Sequence, residues 1–216
     1  MASRRDVPSL RLRAFASIAG YEVPAMFRLR TATSPRWLEV VLADFDHFLI
    51  DHAACERKAS ATALSLVAHY RDKTKLVSEM IDLACEELEH FRQVHKVMLD
   101  RGLTLAPDSK DPYVNGLTSA VRKGNIEYHL LDRLLVFGIV EARGTERFSM
   151  LVEALPPGEL RDLYVEFTRA EARHHALFLR IARQYYPEEV VFARLDELLD
   201  HEDHVLKGLP LLPIVH

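Results

Sequence analysis

From Ser34 onward, apolar residues recur every three to four positions, and no segment alternates with a period of two. This spacing is typical of amphipathic helices. Ser34 and Pro35 mark a helix start, because serine caps helix N-termini and proline is tolerated in the first turn. The pattern predicts helices over residues 34–70 with a break near Asp51, over 75–101, over a short stretch ending by 124, and over 126–155, 158–186 and 188–207.

Four of these predicted helices are long, and so is the connection between the second and third, residues 102–125. Long amphipathic helices bury their apolar stripes against one another, so we predict an all-α fold, an antiparallel four-helix bundle with additional helices. The long connection predicts a crossover. The chain then divides into a basic leader expected to be poorly structured (1–33), the bundle domain (34–208) and a C-terminal tail (209–216).

The composition fits one globular domain, or at most two small ones, with a core. Of 216 residues, 49% are apolar and 28% are charged, and 8 Gly and 10 Pro leave few helix breakers in the middle. Two cysteines cannot form a disulfide framework, which favours a reducing compartment. No run approaches the ~18 consecutive apolar residues of a membrane span. We therefore expect a cytoplasmic protein without a membrane partner.

Charge is unevenly distributed. Residues 1–36 hold seven arginines and two acids, a local charge of +5, so the remaining residues carry -9. An arginine-rich segment at this position has several interpretations: a disordered leader, a transit peptide, a nucleic-acid-binding arm, or a misassigned start upstream of Met26.

Two Glu-x-x-His motifs lie within predicted helices, Glu87 with His90 and Glu171 with His174. A spacing of three puts both side chains on one helix face, where they can reach the same metal ion. A single such motif is more often a solvated pair. Here, however, a further glutamate precedes each motif, Glu56 by 31 residues and Glu141 by 30, so the two halves of the chain repeat.

All four of these glutamates share helix faces with apolar residues, so they point into the predicted core. Burying four unpaired carboxylates costs several kcal/mol each. Two divalent cations cancel that charge, and oxygen ligands with one imidazole per metal suit iron or manganese better than structural zinc. The predicted ligands are Glu56, Glu87, His90, Glu141, Glu171 and His174. This set is typical of the ferritin-like form of the bundle.

Residues beside the predicted ligands have less specific signals. His52 lies one turn before Glu56 and is either a partner of that ligand or a core histidine. Glu86 is adjacent to Glu87 but has no three-residue relation to His90, so we predict a solvated side chain. Cys55 and Cys85 are interpreted as small core residues.

Four stretches resemble the MiaE family of tRNA hydroxylases: residues 51–59 (DHAACERKA), 85–91 (CEELEHF), 141–148 (EARGTERF) and 171–174 (EARH). The resemblance extends from about Trp37 to Tyr186. It implies a ferritin-like di-iron monooxygenase that hydroxylates the isopentenyl group of 2-methylthio-isopentenyladenosine beside the tRNA anticodon, with O2 as co-substrate. It also implies that the same six residues hold two iron ions.

Further expectations rest on this resemblance. Thr145, one turn after Glu141, is a candidate for assisting O2 activation, with a backbone-bonded core hydroxyl as the alternative. Electrons would come from a separate reductase, and the chain would be a monomer or a dimer. Because the body is acidic, tRNA binding predicts a local basic surface. The candidates are Arg57, Lys58, Arg143 and Arg147.

Other functions share the ligand pattern. A ferritin-like or rubrerythrin-like iron oxidase would use the same six residues but should assemble into a large oligomer. A membrane-associated quinone hydroxylase has similar ligand spacing but requires an apolar interfacial surface, which the acidic body disfavours.

Overall fold

A computed structural model describes residues 27–216. Within this range the regular structure is entirely helical, which confirms the predicted all-α class. The seven helices are α1 (Pro35–Ala43), α2 (Phe45–His69), α3 (Thr74–Asp100), α4 (Pro112–Thr118), α5 (Ile126–Ala154), α6 (Glu159–Tyr185) and α7 (Glu188–Gly208).

The first predicted helix is divided at Asp44, and the predicted break near Asp51 is wrong. Asp44 has a non-helical backbone (φ -139°, ψ 64°), and its Oδ1 accepts a hydrogen bond from the N–H of His47 at 3.3 Å. A short acidic side chain that caps the next helix competes with continuing the previous one, so the chain turns there. Gly102 follows the C-terminal cap of α3, and its backbone φ of 72° is a conformation that favours glycine.

The bundle is built from two helix pairs. α2 packs along α3 and α5 packs along α6, while α4 and α7 pack against each other and against α5. Two apolar clusters fill the interior. One includes Leu66, Met80, Leu135 and Ile181, and the other includes Trp37, Phe48, Val94 and Phe167. Along each long helix, the predicted metal ligands fall between residues of the first cluster and residues of the second, so a polar layer crosses the core.

Both flanks of the bundle domain pack onto it. Phe27 is buried and contacts His175 edge-on at 4.2 Å between ring centroids, and Arg30 pairs with Asp200 at 2.8 Å. Residues 27–33 of the predicted leader therefore belong to the folded body; the rest of that prediction lies outside the described residues. In the tail, Val215 is buried as well. No helix within residues 27–216 combines the length and apolarity needed to cross a bilayer.

Candidate metal centre

The six predicted ligands meet in the middle of the bundle, one or two from each of α2, α3, α5 and α6. Candidate ligand atoms of Glu56, Glu87, His90 and Glu171 lie within 4.8 Å of one another, and so do those of Glu87, Glu141 and His174. Glu87 belongs to both groups, so its carboxylate lies between two adjacent sites. We call the six residues the Glu/His centre.

Both imidazoles point their Nδ1 atoms into this centre. His90 Nδ1 lies 3.4 Å from Glu87 Oε2 and 3.5 Å from Glu56 Oε2. His174 Nδ1 lies 2.9 Å from Glu87 Oε1 and 3.9 Å from Glu171 Oε2. The two histidines thus flank Glu87, one beside each of its oxygens.

Several oxygen and nitrogen atoms of the centre that could bind a metal are buried without a hydrogen bond. Within the described part of the chain, these are both carboxylate oxygens of Glu87, Nδ1 of His90 and both ring nitrogens of His174. Buried polar atoms are almost always hydrogen-bonded, so five unsatisfied atoms in one cluster need other partners. Carboxylate oxygens and imidazole nitrogens are ligands for divalent transition metals. The donor set therefore fits two divalent cations, which would neutralise four carboxylates.

The ionisable groups of the centre lie close enough to shift one another's pKa values. Burial and the nearby Glu56 carboxylate raise the pKa of Glu87 to about 7, although His174 and His90 oppose this rise. Burial alone would lower the pKa of His90, but Glu56 and Glu87 raise it to about 9. Glu86 and Glu87 likewise outweigh burial and raise the pKa of His174 to about 10. Without a metal, imidazolium protons supply the positive charge.

His52 is a partner of a predicted ligand. Its Nε2 lies 2.6 Å from Glu56 Oε1, its Nδ1 lies 3.1 Å from the Tyr164 hydroxyl, and the whole residue is buried. Burial would raise the pKa of Glu56, but the neighbouring imidazoles of His52 and His90 hold it well below its usual value. His52 therefore orients Glu56 and keeps it ionised. Of the two interpretations left open by the sequence, the structure supports the first.

Glu86 has a role that sequence reasoning missed. Its Oε2 lies 3.1 Å from His174 Nε2, and it also pairs with Arg173. The nearby imidazole of His174 outweighs burial and holds the pKa of Glu86 at about 2. A carboxylate on the outer nitrogen of a ligating histidine fixes its ring and raises its basicity. The predicted solvated role is wrong because α6 brings Arg173 and His174 against α3 beside Glu86.

The Thr145 hydroxyl donates to the Glu141 carbonyl at 2.8 Å and is 1% exposed. Its neighbour Gly144 lines a cavity beside the Glu/His centre, but Thr145 does not. The geometry matches the alternative of a backbone-bonded core hydroxyl, so we do not place Thr145 among the reacting groups.

A cavity of about 120 Å³ adjoins the Glu/His centre. Its lining includes all four glutamates and the apolar side chains of Phe137, Val140, Phe148 and Phe178. It also includes four half-buried polar residues, which we call the rim: Cys55, Lys58, Asp111 and His216. Three of the four glutamates are buried, so the lining combines a more exposed polar rim, apolar side chains and buried carboxylates, as expected for a site that admits an apolar group.

Two of the four basic residues predicted to bind tRNA are buried. Arg143 is fully enclosed, with Nη2 donating to Glu202 Oε1 at 2.6 Å and to the Thr31 carbonyl at 2.9 Å. Arg147 is 4% exposed and donates to the Val215 carbonyl at 2.6 Å. The prediction that both lie on an exposed surface is wrong, since partners distant in the sequence enclose each guanidinium.

Arg57 and Lys58 lie at the rim side of α2. Arg57 pairs with the exposed Asp108, and Lys58 Nζ donates to the Ser109 carbonyl at 2.9 Å. Both residues thus hold the connection between α3 and α4. The Arg57 side chain is 40% exposed, so it is accessible to a polyanion, and its contact with tRNA stays a prediction.

Comparison with known proteins identifies relatives along most of the chain. The family model described as tRNA-(MS[2]IO[6]A)-hydroxylase (MiaE) matches residues 22–216. A protein of Pseudomonas putida named tRNA 2-(methylsulfanyl)-N(6)-isopentenyladenosine(37) hydroxylase is 40% identical over 188 residues, which cover 82% of this chain and 91% of that protein. A Salmonella typhimurium protein of the same name is 29% identical over 189 residues, covering 66% and 69%.

A solved structure shares the fold. It is described as Protein 43 with aldehyde deformylating oxygenase activity from Synechococcus, and it superposes with a TM-score of 0.82 at 38% sequence identity. The match covers 87% of this chain and 94% of that chain. The similarity therefore includes the whole bundle and not one helix pair.

Proposed function

The chain belongs to the MiaE family of tRNA hydroxylases, and from this premise we propose that it hydroxylates the isopentenyl group of 2-methylthio-N6-isopentenyladenosine in tRNA, with O2 as co-substrate. The observation that carries the proposal is the Glu/His centre beside a small apolar cavity. An apolar substituent that enters this cavity meets the carboxylates directly.

We assign two iron ions to the Glu/His centre. Glu56, His90 and Glu171 would hold one ion, Glu141 and His174 the other, and Glu87 belongs to both ligand groups. When bound, the iron pair supplies the oxidising power that O2 activation and C–H cleavage require. Hydroxylation places one oxygen atom of O2 in the C–H bond and reduces the other to water with two electrons and two protons. We assign the supply of these electrons to a separate reductase.

The residues of this chain position and protect the reaction. His52 orients Glu56 on α2, and Glu86 orients His174 on α6. Removing a residue that holds a metal ligand in this way typically lowers metal affinity 10–100-fold. Phe137, Phe148 and Phe178 exclude water along the cavity. A bound substituent is therefore held with few solvent protons nearby, which limits side reactions.

The size of the cavity favours a short substituent. An apolar cavity of roughly 150 Å³ holds one benzene molecule. A volume of about 120 Å³ accordingly suits a branched five-carbon group and is too small for a long acyl chain. The purine and its ribose would remain at the rim, where the polar residues lie.

The macromolecular partner is tRNA, contacted at its anticodon region. Of the predicted basic contacts, Arg57 and Lys58 remain in the proposal because they border the rim. We keep a monomer or a dimer as the oligomeric state, and a cytoplasmic location follows from the substrate class.

The proposal is tested in a strain that lacks this protein. Nucleosides from its tRNA, analysed by mass spectrometry, should contain the 2-methylthio-isopentenyl nucleoside and lack the hydroxylated form. The wild-type gene should restore the hydroxylated form in air and not under anaerobic growth, whereas a Glu141→Ala variant should not restore it. Unchanged hydroxylated nucleoside in the deletion strain would contradict the proposal and favour iron oxidation.

A second candidate function is aldehyde deformylation, which the structural match to the Synechococcus protein favours. The iron-loaded protein should be offered aldehydes of increasing chain length, with the prenylated nucleoside as the competing substrate. Turnover of long-chain aldehydes in preference to the nucleoside would support this second function. The small cavity predicts the opposite order.

A further inference from the structure

The rim of the cavity is built partly by residues 214–216, which return to the bundle and are fixed there by three hydrogen bonds. The Val215 N–H donates to Asp51 Oδ2 at 2.7 Å, and the Val215 carbonyl accepts from Arg147 at 2.6 Å. The Ile214 carbonyl accepts from Trp37 Nε1 at 3.0 Å. Anchors on α1, α2 and α5 hold this segment in one position, so the side chain that follows Val215 has a defined place.

That side chain is His216, and two neighbours fix its ring. The ring stacks on Tyr113 with 5.6 Å between centroids and an interplanar angle of 8°. Its Nδ1 lies 3.4 Å from Asp111 Oδ2 and 4.0 Å from Cys55 Sγ. Asp111 is itself fixed, because its Oδ1 accepts N–H groups from Tyr113 and Val114 at 2.8 and 3.0 Å. The imidazole ring of His216 is therefore held on one face by Tyr113 and at its Nδ1 edge by Asp111.

This arrangement leaves a hydrogen-bond acceptor at the cavity. In the neutral imidazole, the Asp111 carboxylate is closer to Nδ1 than the Cys55 thiol and can only accept, so the tautomer with the proton on Nδ1 is favoured and Nε2 carries a lone pair. Within residues 27–216, Nε2 of His216 forms no hydrogen bond. The side chain is only 9% exposed and lines the cavity. The acceptor is thus available to a group that occupies the cavity.

We infer that His216, oriented by Asp111 and Tyr113, binds the modified base by accepting a hydrogen bond from its N6–H group. The inference rests on the proposed function. N6 carries the prenyl chain, so when that chain fills the apolar cavity, N6 lies at the polar rim. N6–H is also the one donor on the base of this nucleoside, whose ring nitrogens N1, N3 and N7 are acceptors. An acceptor on the rim is therefore complementary to N6–H.

The test compares two anticodon stem-loop substrates, one with the natural N6-linked prenyl group and one in which an ether oxygen replaces N6–H. For the wild-type protein, kcat/KM should fall about tenfold with the ether, the size expected when one hydrogen bond in an enclosed site is lost. A His216→Phe variant retains an aromatic ring to stack on Tyr113. Its kcat/KM for the natural substrate should be about tenfold lower than that of the wild-type protein. Its kcat/KM values for the two substrates should be equal.

A Thr62→Val variant is the matched control, because Thr62 also lines the cavity and valine preserves its shape. Its ratio between the two substrates should equal the wild-type ratio. The inference would be overturned if the His216→Phe variant showed the same ratio of kcat/KM between the two substrates as the wild-type protein. Absence of hydroxylation of the natural substrate by the wild-type protein would instead overturn the proposed function.

Metal analysis of the same variants tests whether Cys55, Asp111 and His216 bind a metal ion instead. Ligand atoms of Cys55, Asp111 and His216 lie within 4.8 Å of one another, as they would around a third metal ion. The hydrogen-bonding role predicts the same metal content in the wild-type and His216→Phe proteins. Loss of one metal ion per chain in the variant would overturn that role.

Discussion

Replacing Arg143 with methionine should lower the melting temperature sharply and leave the tRNA affinity of the folded protein unchanged. The Arg143 guanidinium donates to Glu202 Oε1 at 2.6 and 3.1 Å, and neither residue is exposed to solvent. Removing one partner of a buried ion pair costs about 3–5 kcal/mol, because the remaining charge is left uncompensated. For a chain of this size, each kcal/mol lowers the melting temperature by about 2–4 °C. The expected decrease is therefore about 6–20 °C.

The assay is thermal unfolding followed by circular dichroism, with tRNA affinity measured well below the transition. A double variant, Arg143→Met with Glu202→Gln, should recover most of the lost stability, since it removes the orphaned charge and keeps an acceptor for the Tyr113 hydroxyl. An unchanged melting temperature together with a large loss of tRNA affinity would refute this reasoning and place Arg143 on the binding surface after all.

Four further outcomes are expected. Anaerobically reconstituted wild-type protein should hold about two irons per chain. The Glu87→Ala variant should lose metal, because both ligand groups include that carboxylate. Full iron content in the variant would disprove the ligand assignment. Metal binding at neutral pH should release protons from His90 and His174, because the pKa values of these residues in the metal-free protein are about 9 and about 10. Metal affinity should therefore rise with pH through that range. Calorimetry in buffers of different ionisation enthalpy measures the proton release, and a pH-independent affinity would contradict the prediction. Glu86→Gln should weaken metal binding about 10–100-fold without removing a ligand, in a chelator competition. Charge reversal at Arg57 should weaken tRNA binding and flatten its salt dependence, and an unchanged salt slope would remove it from the interface.

The inward positions of the six predicted ligands could be inferred from the sequence because they depend on local periodicity. Glu87 and His90 share a helix face in any α-helix, and their apolar neighbours on the same face indicate burial. The repetition in the second half of the chain, at Glu171 and His174, required no knowledge of the tertiary fold. The all-α class followed from the same periodicity.

The roles of the surrounding residues were not predictable in this way, because they depend on contacts between distant segments. Arg143 is buried only because α7 supplies Glu202, 59 positions away. Glu86 becomes a partner of His174 through the packing of α3 against α6. His216 lies at the rim because residues 214–216 fold back onto the bundle. Helix periodicity contains no information about any of these three contacts.

The most direct test of the central claim is a reaction of the purified, iron-loaded protein with isotopically labelled O2. The substrate is tRNA that carries the 2-methylthio-isopentenyl nucleoside, and a reductase supplies the electrons. Mass spectrometry of the digested tRNA should detect one labelled oxygen atom in the isopentenyl group, and a Glu141→Ala protein should produce none. An unmodified nucleoside, or a hydroxyl group whose oxygen comes from water, would contradict the account.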